Sequence, residues 1–243
     1  MTGIQTCALP IYVKLISYTQ PSSDFLESIR QIEFDTLTDD LTTLVSYCAR
    51  VSNPSNQTNL ETSEKLIQYL IKHKHWSPFE MVNVCLEITS TRDIVRQILR
   101  HRSFSFQEFS QRYANPAKEL DFCVKWCRLQ DKTNRQNSLD NMDNDLETWW
   151  VKEQLKLISH AKSIYDEAIN KGVAKEVARV VLPEGNTISR LYINGSIRSW
   201  IHFIEVRTSP ETQKEHRMIA QKCAEVISNI FEPINDFTVK ENN

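Results

Sequence analysis

"MVNVCLEITSTRDIVRQILR", residues Met81–Arg100, changes period halfway along. Val82, Val84, Leu86 and Ile88 fall on one face, and Asn83, Cys85, Glu87 and Thr89 on the other. Successive side chains of a strand point to opposite faces, so Met81–Ser90 is expected to be a strand with one buried face. Ser90 or Thr91 then opens a helix through "STRDIVRQILR". That helix places Arg92, Arg96 and Arg100 four residues apart on one face, with Gln97 adjacent.

Outward from this unit, further elements are legible. "VKLISYT" (13–19) alternates as a strand. "FDTLTDDLTTLVSYCARVS" carries a helical stripe at Leu37, Leu41, Leu44 and Val45 behind an acidic start. "ETSEKLIQYLIKHKH" is an amphipathic helix with Leu66, Leu70 and Ile71 on one face, broken at Ser77–Pro78. Asp131–Asp145 is expected to be a polar surface loop leading into a long helix that ends at Gly172, a residue suited to a C-cap. "VAKEVARVVLP" is a short helix stopped by Pro183. "ISRLYINGS" is a strand ending in a turn, and "IRSWIHFIEVR" is a helix. A last helix has Pro210 in its first turn. Strands mingle with helices, so the class is α/β or α+β with one core.

The chain has 243 residues and a net charge of −2. That charge argues against a general nucleic-acid binder but leaves room for a local basic pocket. No apolar run reaches the roughly 18 residues a membrane helix needs. The cysteines at 7, 48, 85, 123, 127 and 223 form no CxxC pair and point to reduced thiols in a cytoplasmic protein. Residues 1–11, "MTGIQTCALPI", form no signal peptide and are expected to be a non-native leader before a domain of residues 12–243.

"RHRSFSFQEFS" (100–110) continues the arginine helix, and Gln111, Arg112 and Tyr113 follow. Arginine runs ordinarily form a solvated face, and like charges at spacing four do not stabilise a helix. Here they run into His101, Arg102, Ser105, Gln107, Glu108, Ser110 and Arg112. Guanidinium groups bind phosphate through paired hydrogen bonds, and serine hydroxyls add more. Glu108 can accept from a ribose hydroxyl or hold an arginine. The mix fits a pocket for phosphate and base.

These residues resemble the signature of the flavin-dependent thymidylate synthases: RHR, seven residues, a serine, then QRY. "HWSPFE" (75–80) is similar to the family's His-x-x-Pro-Phe-Glu segment. "RQILRHR", "ARVVLP" (178–183) and "RSWIHFIEVR" (198–207) resemble further blocks. The resemblance implies a single domain with a central mixed sheet flanked by helices, assembled as a homotetramer with sites shared between subunits. It implies reductive methylation of dUMP to dTMP, with methylenetetrahydrofolate as carbon donor and FAD, reduced by NADPH, as hydride carrier. Carried over by position, Gln97, Ile98, Leu99, Arg100, Glu108, Phe109, Ser110, Gln111 and Arg112 would line the dUMP site. Ser110 and Arg112 would hold phosphate, and Arg179 would be a further anchor. Arg207 would favour the ionised uracil N3. His75, Ser77, Arg100, His101, Arg102, Glu108, Arg198 and His202 would contact FAD. The family's Asn-x-Arg-Ser segment is altered to "NGSIRS": either Ser196 takes the asparagine's place, or Asn194 reaches in across Gly195–Ser196. His202 stands where an asparagine is common.

Other residues invite plainer readings. His73 and His75 diverge on a helix, so no metal pair is expected. His160 and His216 are expected at the surface. Trp149, Trp150 and Phe203 suit a core or subunit interface better than a flavin stack, and Glu80 a pocket. On the Arg198–Arg207 helix, Arg198, His202 and Glu205 share one face and Arg207 falls on the other. A non-catalytic nucleotide- or RNA-binding protein is the rival reading. A metal-dependent hydrolase would need a carboxylate or histidine cluster that the sequence does not display.

Overall fold

A computed structural model describes residues 11–30, 41–59 and 61–239. Residues 1–10 and the start of the 34–52 stripe, with Leu37, lie outside them. Ile11, the last residue of the expected leader, packs half-buried against the core.

The strands are β1 (Tyr12–Tyr18), β2 (Asn83–Thr91), β3 (Ser105–Glu108), β4 (Arg128–Gln130), β5 (Ser138–Asp140) and β6 (Ile188–Ser196). The helices are α1 (Ser23–Arg30), α2 (Leu41–Ala49), α3 (Ser63–Lys72), α4 (Arg92–Ile98), α5 (Pro116–Glu119), α6 (Asn144–Asn170), α7 (Lys175–Ala178), α8 (Ile197–Arg207) and α9 (Lys214–Ser228).

One four-stranded sheet, ordered β1-β2-β6-β3, is antiparallel at every pairing. The mixed sheet and the α/β alternative are thereby corrected to an antiparallel α+β fold. The reason is connectivity: β2 and β6, the central pair, are joined through the β4–β5 hairpin, α6 and α7, with no βαβ crossover to make neighbours parallel.

The alternation read in β2 is real. Val84, Leu86 and Ile88 are fully buried, as are Leu191 and Ile193 on β6. Together with Val95, Ile98, Trp200, Phe203 and the inner face of α9 they form the main core on one side of the sheet. In α3 the deepest residues are Ile67 and Leu70, while Leu66 and Ile71 are half-buried, so the apolar face is rotated from the expected stripe. A second cluster, Tyr165, Ala178 and Leu182, seats α6 beside α7. Gly172, at φ +85°, ends α6 in the conformation glycine tolerates best.

Other boundaries move. α4 stops at Ile98, so Arg100 lies beyond the helix and does not continue its face. β6 passes straight into α8 without the expected turn. Pro210 precedes α9, which begins at Lys214. The polar stretch 131–145 contributes β5 to a small hairpin. Trp149 and Trp150 are exposed rather than core, whereas Phe203 is fully buried.

Gly195 is fixed by packing. A Cβ there would lie 2.4 Å from the Phe104 ring. That ring cannot easily retreat, because it packs edge-on against Trp200 at 4.8 Å and contacts Phe203. Gly195→Ala is therefore expected to destabilise the fold by about 1–3 kcal/mol, the usual range for overpacking, read as a lower urea midpoint with an unchanged slope.

Candidate active site

β2 and β6 each feed a helix directly. Thr91 is the N-cap of α4 and Ser196 that of α8, and the Ser196 hydroxyl accepts from the Ser199 N–H. The strands are antiparallel, with Asn83 opposite Ser196 and Thr91 opposite Ile188, so the two helices start at opposite ends of the sheet. At about 3.4 Å per residue those ends lie roughly 27 Å apart.

At the α4 end is a cavity of about 400 Å³, lined by Arg92, Arg96, Gln111, Glu176, Arg179, Val180, Leu182, Glu184 and Thr187. Arg92 lies in the first helical turn, where a cation opposes the helix dipole. Glu108, 3.2 Å away, offsets this, and the Ser189 hydroxyl donates to the same carboxylate oxygen at 3.0 Å. Glu108 thus holds an arginine, one of the two roles its position suggests. Burial pushes the Arg92 guanidinium below its ordinary value, and Glu108 pulls the other way. Arg96 meets Glu184 at 3.1 Å and Arg112 meets Glu176 at 3.2 Å. These last two pairs are exposed and contribute little stability. The guanidinium groups are therefore available to a stronger anion. The Arg112 N–H donates to the Ser110 hydroxyl at 3.3 Å, which folds "EFSQR" back toward this rim.

At the α8 end is a second cavity, about 480 Å³, lined by Trp76, Glu80, Ser103, Arg198, Ser199, Ile201, His202 and Glu205. The face anticipated for Arg198, His202 and Glu205 is its wall. Glu80 organises it: one carboxylate oxygen accepts from Ser196 at 2.6 Å, the other from Arg198 at 2.8 Å. Phe79, fully buried, fixes the 3-10 turn Ser77–Glu80 that carries this carboxylate. His75 and Ser77 are exposed beside it. Asn194 lies on the exposed face of β6, and the β2–β6 register shows no shift there.

The C-terminal ends of α4 and α8 meet between these cavities. Arg207 Nε donates to His101 Nε2 at 2.8 Å, so that nitrogen carries no proton and His101 is neutral. Burial, with the charge of Arg207 and then His202, pushes His101 down to about 4. His216, expected at the surface, is fully buried in α9. Burial, Arg207 and His101 push it down to about 3. Its Nδ1 lies 3.3 Å from Gln97 Oε1.

The family-based residues thus fall into three groups rather than one. Glu108, Gln111, Arg112 and Arg179 gather at the α4 end. Ser196, Arg198 and His202 gather at the α8 end. Gln97, His101 and Arg207 lie in the middle and line neither cavity. Arg100 and Arg102 are exposed. Ile98 is fully buried in the core, which leaves its main chain alone for any ligand; Leu99 and Phe109 are half-buried. Arg92 and Arg96 were absent from the expected substrate set, although the stripe at spacing four had pointed to them. Glu176 and Glu184 had no signal at all. Among the described residues no group of three His, Cys, Asp or Glu side chains is placed to hold a metal, and no helix is long and apolar enough to cross a membrane.

An antiparallel α+β domain with an arginine-lined cavity at one end offers guanidinium groups to an anionic ligand. Residues 35–232 match the family model described as thymidylate synthase complementing protein. A probable flavin-dependent thymidylate synthase of Paramecium bursaria Chlorella virus 1 is 46% identical over 91% of this chain and 95% of its own length. A flavin-dependent thymidylate synthase of Synechocystis is 51% identical over 77% of this chain and 85% of its own. The chain belongs to the flavin-dependent thymidylate synthase family. In fold it is similar to the UMP/dUMP methylase PolB of Streptomyces cacaoi, with TM-scores of 0.74 and 0.76 at 24% identity. Those two structures carry 5-Br UMP and 5-Br dUMP, and each comparison covers 95% of this chain and at least 94% of the other.

Half-buried His101 and buried His216 are neutral in the folded chain, and an unfolded histidine titrates near 6.5. The unfolded state therefore takes up protons first as pH falls, and stability is lost from about pH 6.5 down toward 4 for His101 and toward 3 for His216. Replacing His216 with Gln is expected to flatten that part of the profile, measured as urea midpoint against pH.

Proposed function

We propose that this chain converts dUMP to dTMP with the nucleotide phosphate held at the α4 end and a flavin at the α8 end. The conversion is the reaction of its family. The single observation that carries the assignment of ends is the cavity that gathers Arg92, Arg96 and Arg179 beside the Glu108–Arg112 segment. A phosphate dianion offers these guanidinium groups paired hydrogen bonds, stronger than their exposed links to Glu176 and Glu184. Ser110, Gln111 and Arg112 complete the phosphate contacts, and Gln97, Arg100 and Arg207 face the base.

Arg207 is the catalytic residue in this reading. Negative charge on uracil N3 and its neighbouring carbonyls makes C5 nucleophilic toward the one-carbon unit of methylenetetrahydrofolate. A positioned guanidinium stabilises that charge as it develops. His101, neutral and hydrogen-bonded to Arg207 Nε, aims the guanidinium without competing for its charge.

The α8 end suits FAD. Trp76 offers a ring, and Arg198, His202 and Ser103 offer donors. His75, Ser77, His101 and Arg102 belong to the same proposed contacts, and Glu108, which lies at the α4 end of its own copy, joins them from another copy. The bound flavin, reduced by NADPH, supplies the hydride. Ser196 takes the place of the family's asparagine, because it already bonds Glu80 beside Arg198 while Asn194 sits on the outer sheet face. The roughly 27 Å between the two ends exceeds what one compact site can bridge, so a complete site takes residues from more than one copy, as in a homotetramer. The thiols of Cys48, Cys85, Cys127 and Cys223, outside any disulfide, fit a cytoplasmic location.

The test is NADPH oxidation by purified, flavin-loaded protein with and without dUMP and methylenetetrahydrofolate, followed by assay for dTMP. Colourless protein that binds RNA with a steep salt dependence would favour the binding-protein alternative. Arg207→Lys is expected to lower turnover about a hundredfold to a thousandfold while the protein stays yellow and assembled. A lysine would serve a helix C-terminus nearly as well as arginine, so near-normal turnover would reduce Arg207 to a helix-end charge. Glu80→Gln, by contrast, is expected to weaken flavin retention and leave dUMP affinity within about threefold, because it removes the charge behind both the Ser196 and Arg198 bonds, at the α8 end only.

A further inference from the structure

A chain of side-chain hydrogen bonds runs inward from the β4–β5 hairpin to Gln97. Arg128 Nη2 donates to both carboxylate oxygens of Glu215, at 2.6 and 2.7 Å. Gln213 Nε2 donates to Glu215 Oε2 at 3.0 Å, and Gln97 Nε2 donates to Gln213 Oε1 at 2.8 Å. The last link is His216 Nδ1 against Gln97 Oε1 at 3.3 Å.

The direction of this chain follows from its root. Arginine can only donate and a carboxylate can only accept. The end of the Gln213 amide that meets Glu215 must therefore be its NH₂, and its oxygen must face Gln97. The end of Gln97 at that oxygen must in turn be NH₂, leaving its oxygen toward His216. That histidine must then carry its proton on Nδ1. Each amide would otherwise be free to present either end. The root is firm: Glu215 is 1% exposed. Burial alone would raise its carboxyl, but Arg128, a backbone N–H and the charge of Lys125 together outweigh this and hold it below the usual range.

After these bonds the Gln97 amide retains one N–H, on a fixed side. Uracil carries a carbonyl oxygen at C4 where cytosine carries an amino donor. A locked N–H suits the first and collides with the second. A free amide would turn over and accept both.

We propose that Gln213, Glu215 and Arg128 are positioning residues that lock the Gln97 amide, and that the lock makes the site select uracil over cytosine nucleotides. This rests on the reading of Gln97 as a contact to the base. It extends that reading to three residues, one of them in a hairpin remote from both cavity walls. Sites built to hydrogen-bond a substrate group reject analogues that lack the partner, and rejection requires that the site cannot adapt.

The test measures dissociation constants of dUMP and dCMP for the flavin-loaded protein. The unmodified protein is expected to bind dCMP at least about a hundredfold more weakly than dUMP; equal binding overturns the proposal. Gln213→Leu keeps the volume and removes the link. It is expected to cut the dCMP-to-dUMP ratio about tenfold or more, by strengthening dCMP as well as weakening dUMP. Should that variant fail to fold, Glu215→Gln frees the direction at nearly constant shape and is expected to move the ratio the same way. Loss of both affinities by one common factor means the chain only supports the fold, and the proposal fails. Gln97→Ala separates the two levels. If it changes neither affinity, the reading of Gln97 as a base contact is wrong. If it weakens dUMP while Gln213→Leu leaves the ratio unchanged, that reading stands and the lock does not.

Discussion

Everything that positions chemistry in this chain depends on the pairing of β2 with β6. The pair is the centre of the sheet, its inward residues are the core, and each strand runs without a loop into a helix. Because the pairing is antiparallel, α4 and α8 leave from opposite ends and their C-terminal ends meet at His101 and Arg207. Two cavities and a central cluster result from one strand pair. Their placement is rigid because strand register, N-cap and buried face are all set by the same few residues.

The electrostatics follow this frame. Arginines at the α4 end are partnered by Glu108, Glu176 and Glu184, which keep like charges from driving the helix apart. Only Glu108 is well buried with its partner; the exposed glutamates are weak competitors for an arriving phosphate. In the centre the logic is reversed. Burial, reinforced by Arg207, keeps two neighbouring histidines neutral, so each offers a lone pair and a single N–H in defined places. Uncharged imidazoles beside Arg207 leave the local positive charge to guanidinium groups, Arg207 and the nearby Arg100, and a positioned guanidinium acts strongly on an ionising ring.

Much of this was legible in the sequence. The period change at Ser90–Thr91 marked β2 and α4, and the helix Ile197–Arg207 was read to its ends. The division of α8 into an Arg198–His202–Glu205 face and an Arg207 side was geometric and appears in the structure as a cavity wall and a separate cluster. The failures have physical causes. His216 looked like a surface residue because a single histidine on an amphipathic helix gives no sign of burial; Gln97 and Phe203, distant in sequence, pack against it. Glu176, Glu184 and Arg128 found their partners across long stretches of chain, and pairing of that kind leaves no local trace. The β4–β5 hairpin was hidden by its polarity, since neither face of its two three-residue strands is buried in the core. Gly195 entered the sequence reading only as part of an insertion, and its packing against Phe104 leaves no local trace.

The pairing of β2 with β6 also has a kinetic side. Ser196 and Glu80, which close the α8 end, are 116 residues apart in the chain. Ordering a loop of that length precedes any return in buried surface, and contacts of high sequence separation slow folding. The α8-end cavity, walled by Glu80 and Arg198, is incomplete until this closure is made, although α6 and α9 can form earlier from local bonds. That cavity is thus expected to appear late as the chain folds. Until β6 arrives, β2 can pair with β1 on one side only, and its β6-facing edge stays open. A chain released before β6 is available carries that open, aggregation-prone strand edge.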